Sequence, residues 1–311
     1  MRRAIQVAIP TALATLALLW FLVEQGRTNE TERVLGQLPS TAKAVVRVNV
    51  ASIAEEPAWR SRLDALLGEN QWSDIEAECG IDPTTALDEL VLWAGGPDDE
   101  PFQTLGLLIR GSSVDAEGFA QCYRQLVEAR GSEVTRLPTA RVPVLGSTDG
   151  RSALAEVDDH TVVTGSASTV AEFLAVAGES APSLEKSPEF ESMWSRAHGG
   201  VVTGAFIAPP RWQTAIARIG AISEDASALE GVEAIGLRTD PRAPGVLTLL
   251  FDVRDEGTAR RDAALIEVWA QSNPDTVPAS WRDALRAADV SATGTELRVA
   301  LDLASRFERS D

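Results

Sequence analysis

Hydrophobic and polar residues alternate or recur with helical spacing from residue 39 onward. A Val-rich alternating run at 44–50 is typical of a strand, and Pro57 begins a run with apolar side chains at helical spacing. The same reasoning predicts further strands over 90–94, 105–110, 133–137, 142–146, 153–157, 161–165 and 295–303, and helices over 116–130, 169–177 and 189–197. This mixture predicts an α+β fold.

The second half of the chain resembles the first. A shift of 142 residues places residues 86–110 on residues 228–252 without a gap, with six identities in 25 positions. Each copy has the order β-α-β-β-α-β, which predicts two ferredoxin-like copies with antiparallel sheets. We place the copies at 39–180 and 188–311, joined by a polar linker at 181–187. Two unrelated α+β domains with similar spacing are the alternative.

The amino terminus has the features of a membrane anchor. Residues 4–23 carry no charge and would span ~30 Å as a helix, and Arg2 and Arg3 precede them. We therefore expect residues 1–23 to hold the chain in the inner membrane with its amino terminus in the cytoplasm. Residues 24–38 would be a tether, and residues 24–311 would be periplasmic. A cleaved signal peptide and a buried helix are the alternatives.

Charge and composition exclude several classes of function. The 311 residues include 46 acidic and 28 basic side chains, for a formal net charge of −18. Nucleic-acid binding needs a basic surface, so we expect no nucleic-acid partner. Two His and two Cys leave little for zinc, haem or iron–sulfur chemistry, so we expect no cofactor and no metal.

The two cysteines form an even pair in a chain that we expect to be exported. Export to an oxidising compartment predicts a disulfide between Cys79 and Cys122. The bridge would close a loop of about 43 residues and stabilise the fold by about 4 kcal/mol. Two unpaired buried thiols are the alternative.

Four short motifs could carry chemistry, and each also has a simpler explanation. Ser183 and Lys186 match the S-x-x-K pattern of Ser/Lys nucleophiles, but the surrounding Pro-containing polar stretch is typical of a linker. His198 precedes two glycines, where a cation would favour a helix end. The acidic stretches 98–100 and 158–160, the second including His160, have the composition of solvated turns. We therefore assign no catalytic residue.

A short set of motifs resembles a family of uncharacterised exported proteins from high-GC Gram-negative bacteria. Leu38 and Pro39 precede the Val-rich strand, and the stretch 79–83 reads Cys-Gly-Ile-Asp-Pro before residues 87–91. The resemblance covers about residues 38–180. It implies export and a duplicated domain, and it implies no activity.

These observations favour a membrane-anchored extracytoplasmic protein that binds or scaffolds a protein partner in the cell envelope without catalysis. Open strand edges could accept a partner strand by β-augmentation. An envelope hydrolase is one alternative, and it requires a concave pocket with two or more carboxylates or His160. An accessory subunit of a secretion or pilus system is the other.

Overall fold

The computed structural model describes most of the chain between residues 33 and 302. The described residues are 33–55, 80, 83–97, 100, 102–137, 142–210, 221–223, 226–227, 229, 231–239, 243, 245–271 and 279–302.

Twelve strands form a continuous antiparallel sheet, and two more form a short hairpin. The strands of the sheet are β1 (Ala42–Asn49), β2 (Glu89–Gly95), β3 (Thr104–Arg110), β4 (Val134–Arg136), β5 (Val144–Ser147), β6 (Ala153–Asp158), β7 (Thr161–Gly165), β8 (Val202–Ile207), β11 (Val232–Thr239), β12 (Val246–Val253), β13 (Asp289–Thr293) and β14 (Glu296–Asp302). Their order is β13-β14-β12-β11-β8-β1-β2-β3-β7-β6-β5-β4. The hairpin pairs β9 (Ala221–Ser223) with β10 (Ala226–Ser227).

Seven α-helices and one 3-10 turn (Leu184–Lys186) accompany the strands in the described residues. The helices are α1 (Val50–Glu55), α2 (Pro83–Ala86), α3 (Ala116–Ala129), α4 (Ala167–Ala177), α5 (Pro188–Ala197), α6 (Glu256–Gln271) and α7 (Ala279–Arg286). The predicted helices at 116–130, 169–177 and 189–197 are confirmed to within two residues. The Asp115 and Ser166 side chains cap α3 and α4 by accepting backbone N–H groups.

The prediction of two ferredoxin-like copies is wrong. A split βαβ unit places its first and third strands side by side and parallel, whereas β1 here pairs antiparallel with β2. Three consecutive strands, β1, β2 and β3, lie side by side in the sheet, and so do the four consecutive strands β4, β5, β6 and β7. β1 also pairs antiparallel with β8, from Ala44 opposite Phe206 to Val48 opposite Val202. This pairing joins the two halves into one sheet.

Strand order is mirrored about the β1–β8 pair. On one side the order runs β1-β2-β3-β7-β6, and on the other it runs β8-β11-β12-β14-β13. The 142-residue shift places β2 on β11, β3 on β12, and α3 on α6. Because β1 and β8 are antiparallel, equivalent strand ends of the two halves lie at opposite ends of the sheet.

Helices cover both faces of the sheet. On the first face, α4 and α5 pack on Val45, Leu108 and Ala205 through Phe173 and Phe190. On the second face, α3 packs near Leu154 and α6 near Leu297. The 3-10 turn buries Leu184 beside Leu38, and Pro39 forms an isolated β-bridge with Ser183, so the stretch predicted as a linker packs against residues 34–42.

No helix among the described residues is long and apolar enough to cross a membrane. The predicted span at 4–23 lies outside the described residues. The expectation of a single-pass inner-membrane protein with a periplasmic domain is corrected by the first of these findings: none of the described helices supports it.

Of the predicted cysteine pair, Cys122 lies within the described residues and Cys79 lies outside them. Cys122 is buried on α3 and is not a free thiol, since it takes part in a disulfide. Its pairing with Cys79 stays a prediction.

Candidate functional site: an acidic cavity where the two halves meet

A cavity of about 640 Å³ lies on the first face of the sheet, where β1 meets β8. We call it the acidic cavity. It is lined by Lys43, Pro188, Glu189, Ser192, Ile207, Ala208, Pro209, Pro210, Glu233, Ala234 and Asp252. Its volume is in the range of ligand-binding pockets, ~300–1,000 Å³. Strands from both halves of the chain contribute to it, so neither half contains the cavity alone.

Helix α5 places polar side chains over this cavity because it is amphipathic. Phe190, Met193, Trp194 and Ala197 recur at helical spacing and are buried against the sheet. The same spacing puts Glu189 and Ser192 on the cavity side, one turn apart. Pro188 is the first residue of the helix, where its lack of an N–H costs nothing.

The charges around the cavity are mostly negative. Three carboxylates, those of Glu189, Glu233 and Asp252, line it together with one ammonium group, that of Lys43. The formal sum of these lining charges is −2. Apolar and proline side chains form the rest of the wall. This combination suits a cationic group carried on an apolar stem, as in a lysine or arginine side chain.

Asp252 is held in place by neighbours on two elements. Arg196 of α5 donates to its Oδ2 at 2.8 Å and also to Glu296 at 3.3 Å, and Thr295 donates to its Oδ1 at 3.1 Å. The Asp252 carboxylate is therefore fixed at the cavity wall. Glu189 and Glu233 are exposed to water.

A buried ion cluster lies at the other end of β1, on the same face. Glu89 is 4% exposed and accepts from Arg47 at 2.5 Å, Arg110 at 2.6 Å and Arg33 at 3.2 Å. Arg47 is 6% exposed. Burial alone would raise the pKa of Glu89, but the hydrogen bonds and charges of Arg47 and Arg110 outweigh it and lower that pKa below its usual 4.5.

This lowered pKa predicts an acid-sensitive contribution to stability. Because the Glu89 carboxyl has a lower pKa folded than unfolded, its contribution is complete above the unfolded value and is lost as pH falls through the folded value. We expect urea unfolding of the wild type to lose more stability below pH 4.5 than that of Glu89→Gln, which cannot titrate there. Parallel pH profiles for the two proteins would contradict this assignment.

The motifs singled out in the sequence do not meet at the acidic cavity. The Asp158 carboxylate accepts the backbone N–H of His160 at 2.8 Å, as expected of a turn. Ser183 precedes the 3-10 turn that contains Lys186, and His198 is the C-cap residue of α5. Asp98 and Asp99 lie outside the described residues. No group of three or more His, Cys, Asp or Glu in the described part of the chain is arranged to hold a metal ion.

Three apolar side chains are exposed on the opposite face of the sheet. Leu92 is 45% exposed, Leu105 is 55% exposed, and Phe102 is 42% exposed and stacked on Phe206 at 5.5 Å. We call Leu92, Leu105 and Phe102 the apolar strip. It lies between the regions that α3 and α6 cover.

Comparison with known proteins supports the fold. No protein-family model and no curated protein matches the chain. Among solved structures, crystal form I of the protein TP0453 is 12% identical with a TM-score of 0.50, and the match covers 88% of this chain and 93% of that one. Crystal form III is 13% identical with the same TM-score, and the match covers 87% of this chain and 96% of that one. This chain is thus similar to TP0453 in fold over most of both lengths.

Proposed function

We propose that this chain is a non-enzymatic binding protein that takes a basic side chain of a partner protein into the acidic cavity. The observation that carries the proposal is the set of three carboxylates around one apolar-walled cavity at the junction of the halves. The net charge of −18 supports it, because an acidic protein attracts basic partners over long range. The family resemblance adds no activity to this proposal.

A hydrolase is the second candidate, because the cavity meets the requirement of a concave site with at least two carboxylates. Binding is favoured for two reasons. Glu189 and Glu233 are exposed, whereas a carboxyl that acts as a general acid near neutral pH is usually desolvated. Asp252 already accepts from Arg196 and Thr295, which suits a fixed electrostatic contact.

Calorimetric titration with short peptides tests the proposal. The probes are an acetylated, amidated Leu-Lys-Leu tripeptide and the same tripeptide with uncharged norleucine in place of lysine. We expect saturable binding of the lysine peptide alone, weakened about twofold to fivefold by Glu233→Gln and by Glu189→Gln, as for exposed ion pairs. Glu191→Gln is the matched control, because Glu191 is exposed on the same helix but does not line the cavity.

Equal binding of the two peptides, or equal weakening by Glu191→Gln and Glu189→Gln, would contradict the proposal. Hydrolysis of the lysine peptide that Glu233→Gln abolishes would favour the second candidate instead.

A further inference from the structure

A second cavity, of about 310 Å³, lies on the same face of the sheet at the opposite end of the strands. We call it the arginine cavity. It is lined by Gly36, Gln37, Arg110, Val157, Asp158, Thr161, Phe173, Val176, Ala177 and Glu179. Arg110 ends β3, and the 142-residue shift pairs it with Asp252, which lines the acidic cavity. The mirrored halves thus place an arginine and an aspartate at equivalent strand ends.

Two lining residues carry buried polar atoms without a hydrogen-bond partner. The Arg110 guanidinium uses Nη1 to bind Glu89 at 2.6 Å, while its Nη2 has no partner. The Oε1 of Gln37 is also buried without a partner. A buried donor or acceptor that lacks a partner destabilises a fold by about 1–3 kcal/mol. A molecule that offers an acceptor to Arg110 and a donor to Gln37 would remove both penalties.

The ends of the cavity differ in charge and in depth. The Arg110 side chain is 13% exposed, and Phe173, which also lines the cavity, is 2% exposed, so these residues form the interior. Asp158 and Glu179 are exposed and lie at the mouth. The mouth also contains Ala177, the last residue of α4, and the carboxyl end of a helix favours positive charge. The interior therefore favours an anionic oxygen, and the mouth favours a cation.

From this arrangement we infer that the arginine cavity binds a small zwitterion, namely a free α-amino acid with a short apolar side chain. Its carboxylate accepts from the Nη2 of Arg110. Its ammonium group lies towards Asp158 and Glu179 and donates to Gln37. Its side chain packs on Val157, Phe173 and Val176, which form the apolar part of the wall. The volume is at the small end of ligand pockets, ~300 Å³, which suits a ligand of this size.

The inference is tested by titrating the full chain with L-valine and two matched probes by ligand-observed NMR and calorimetry. Isovalerate lacks the amine of valine, and isobutylamine lacks its carboxylate. We expect saturable binding of L-valine and at least tenfold weaker binding of each probe, because each leaves a buried or charged group without its partner.

Three variants test whether L-valine binds in the arginine cavity. Arg110→Lys keeps the ion pair with Glu89 but loses the second guanidinium N–H, and it should weaken valine binding on the order of tenfold. Asp158→Asn keeps the turn contact to His160 and should weaken valine binding about twofold to fivefold. Asp159→Asn, its exposed neighbour outside the cavity, should leave valine binding unchanged.

Failure of L-valine to bind at millimolar concentration overturns the inference, as does equal binding of valine and isovalerate. An equal effect of Asp158→Asn and Asp159→Asn also overturns it. If Arg110→Lys does not fold, the two aspartate variants and the three probes still decide the question. None of these results depends on the acidic cavity.

Discussion

Replacement of Glu89 by alanine is expected to lower the free energy of unfolding by about 3–5 kcal/mol. The carboxylate binds Arg47, Arg110 and Arg33, and it is 4% exposed. Its removal leaves two largely buried guanidinium groups without the carboxylate that they share. The loss is therefore dominated by the penalty of burying these charges without Glu89. Urea unfolding followed by circular dichroism measures it.

The matched control for this substitution is Glu128→Ala, which removes an exposed carboxylate from α3. We expect Glu128→Ala to change the free energy of unfolding by no more than about 0.5 kcal/mol. Glu89→Gln should be intermediate, since the amide oxygen can still accept one arginine N–H. A loss below about 1 kcal/mol for Glu89→Ala would show that the cluster does not hold the strands together.

Replacement of Trp93 by alanine is expected to destabilise the fold by about 3–5 kcal/mol. Trp93 is 2% exposed and stacks on Phe173 of α4 with ring centroids 5.6 Å apart. Its ring also covers Gly106 of β3, where an added Cβ would lie 2.0 Å from Cζ2 of the tryptophan. The indole thus fills a buried space between β3 and α4, and its removal leaves a cavity there.

The control is Leu92→Ala, one residue earlier on β2. Its side chain points to the opposite face of the sheet and is 45% exposed. We expect Leu92→Ala to lower the free energy of unfolding by less than about 1 kcal/mol. The side chain is half exposed, so its truncation removes little buried apolar surface. Equal losses for the two variants would contradict the assignment of Trp93 to a buried face and Leu92 to an exposed one.

The local pattern of hydrophobic and polar residues predicted most of the strands and helices. The same pattern could also have located the ion cluster around Glu89. Each range predicted as a strand or a helix within the described residues lies within a few residues of an observed element. The helices α1, α2 and α7 and the strands β9, β10 and β13 were not predicted. Arg47 is two residues from the buried Val45, and Glu89 is two residues from the buried Val91, so strand alternation places both on the inner face. No sequence motif marks Arg47 or Glu89, and they share one end of the sheet because β1 pairs with β2.

The strand order of the sheet and the two cavities could not be predicted from local sequence patterns. The repeat predicted two split βαβ copies, but the pairing of β1 with β2 and β8 is a long-range property that local pattern does not contain. The acidic cavity combines Lys43 of β1, Glu189 of α5 and Asp252 of β12. No motif links residues so far apart along the chain, and Lys43 joins the other two because β1 pairs with β8.

The most direct test of the account is the location of peptide binding on the folded chain. The backbone amide NMR signals are followed while the Leu-Lys-Leu peptide is titrated. We predict that the largest shifts fall on Glu189, Ile207 and Glu233, around the acidic cavity, and that they weaken with added salt. Shifts centred on Leu92 and Leu105 of the apolar strip, or shifts that salt does not affect, would contradict the account.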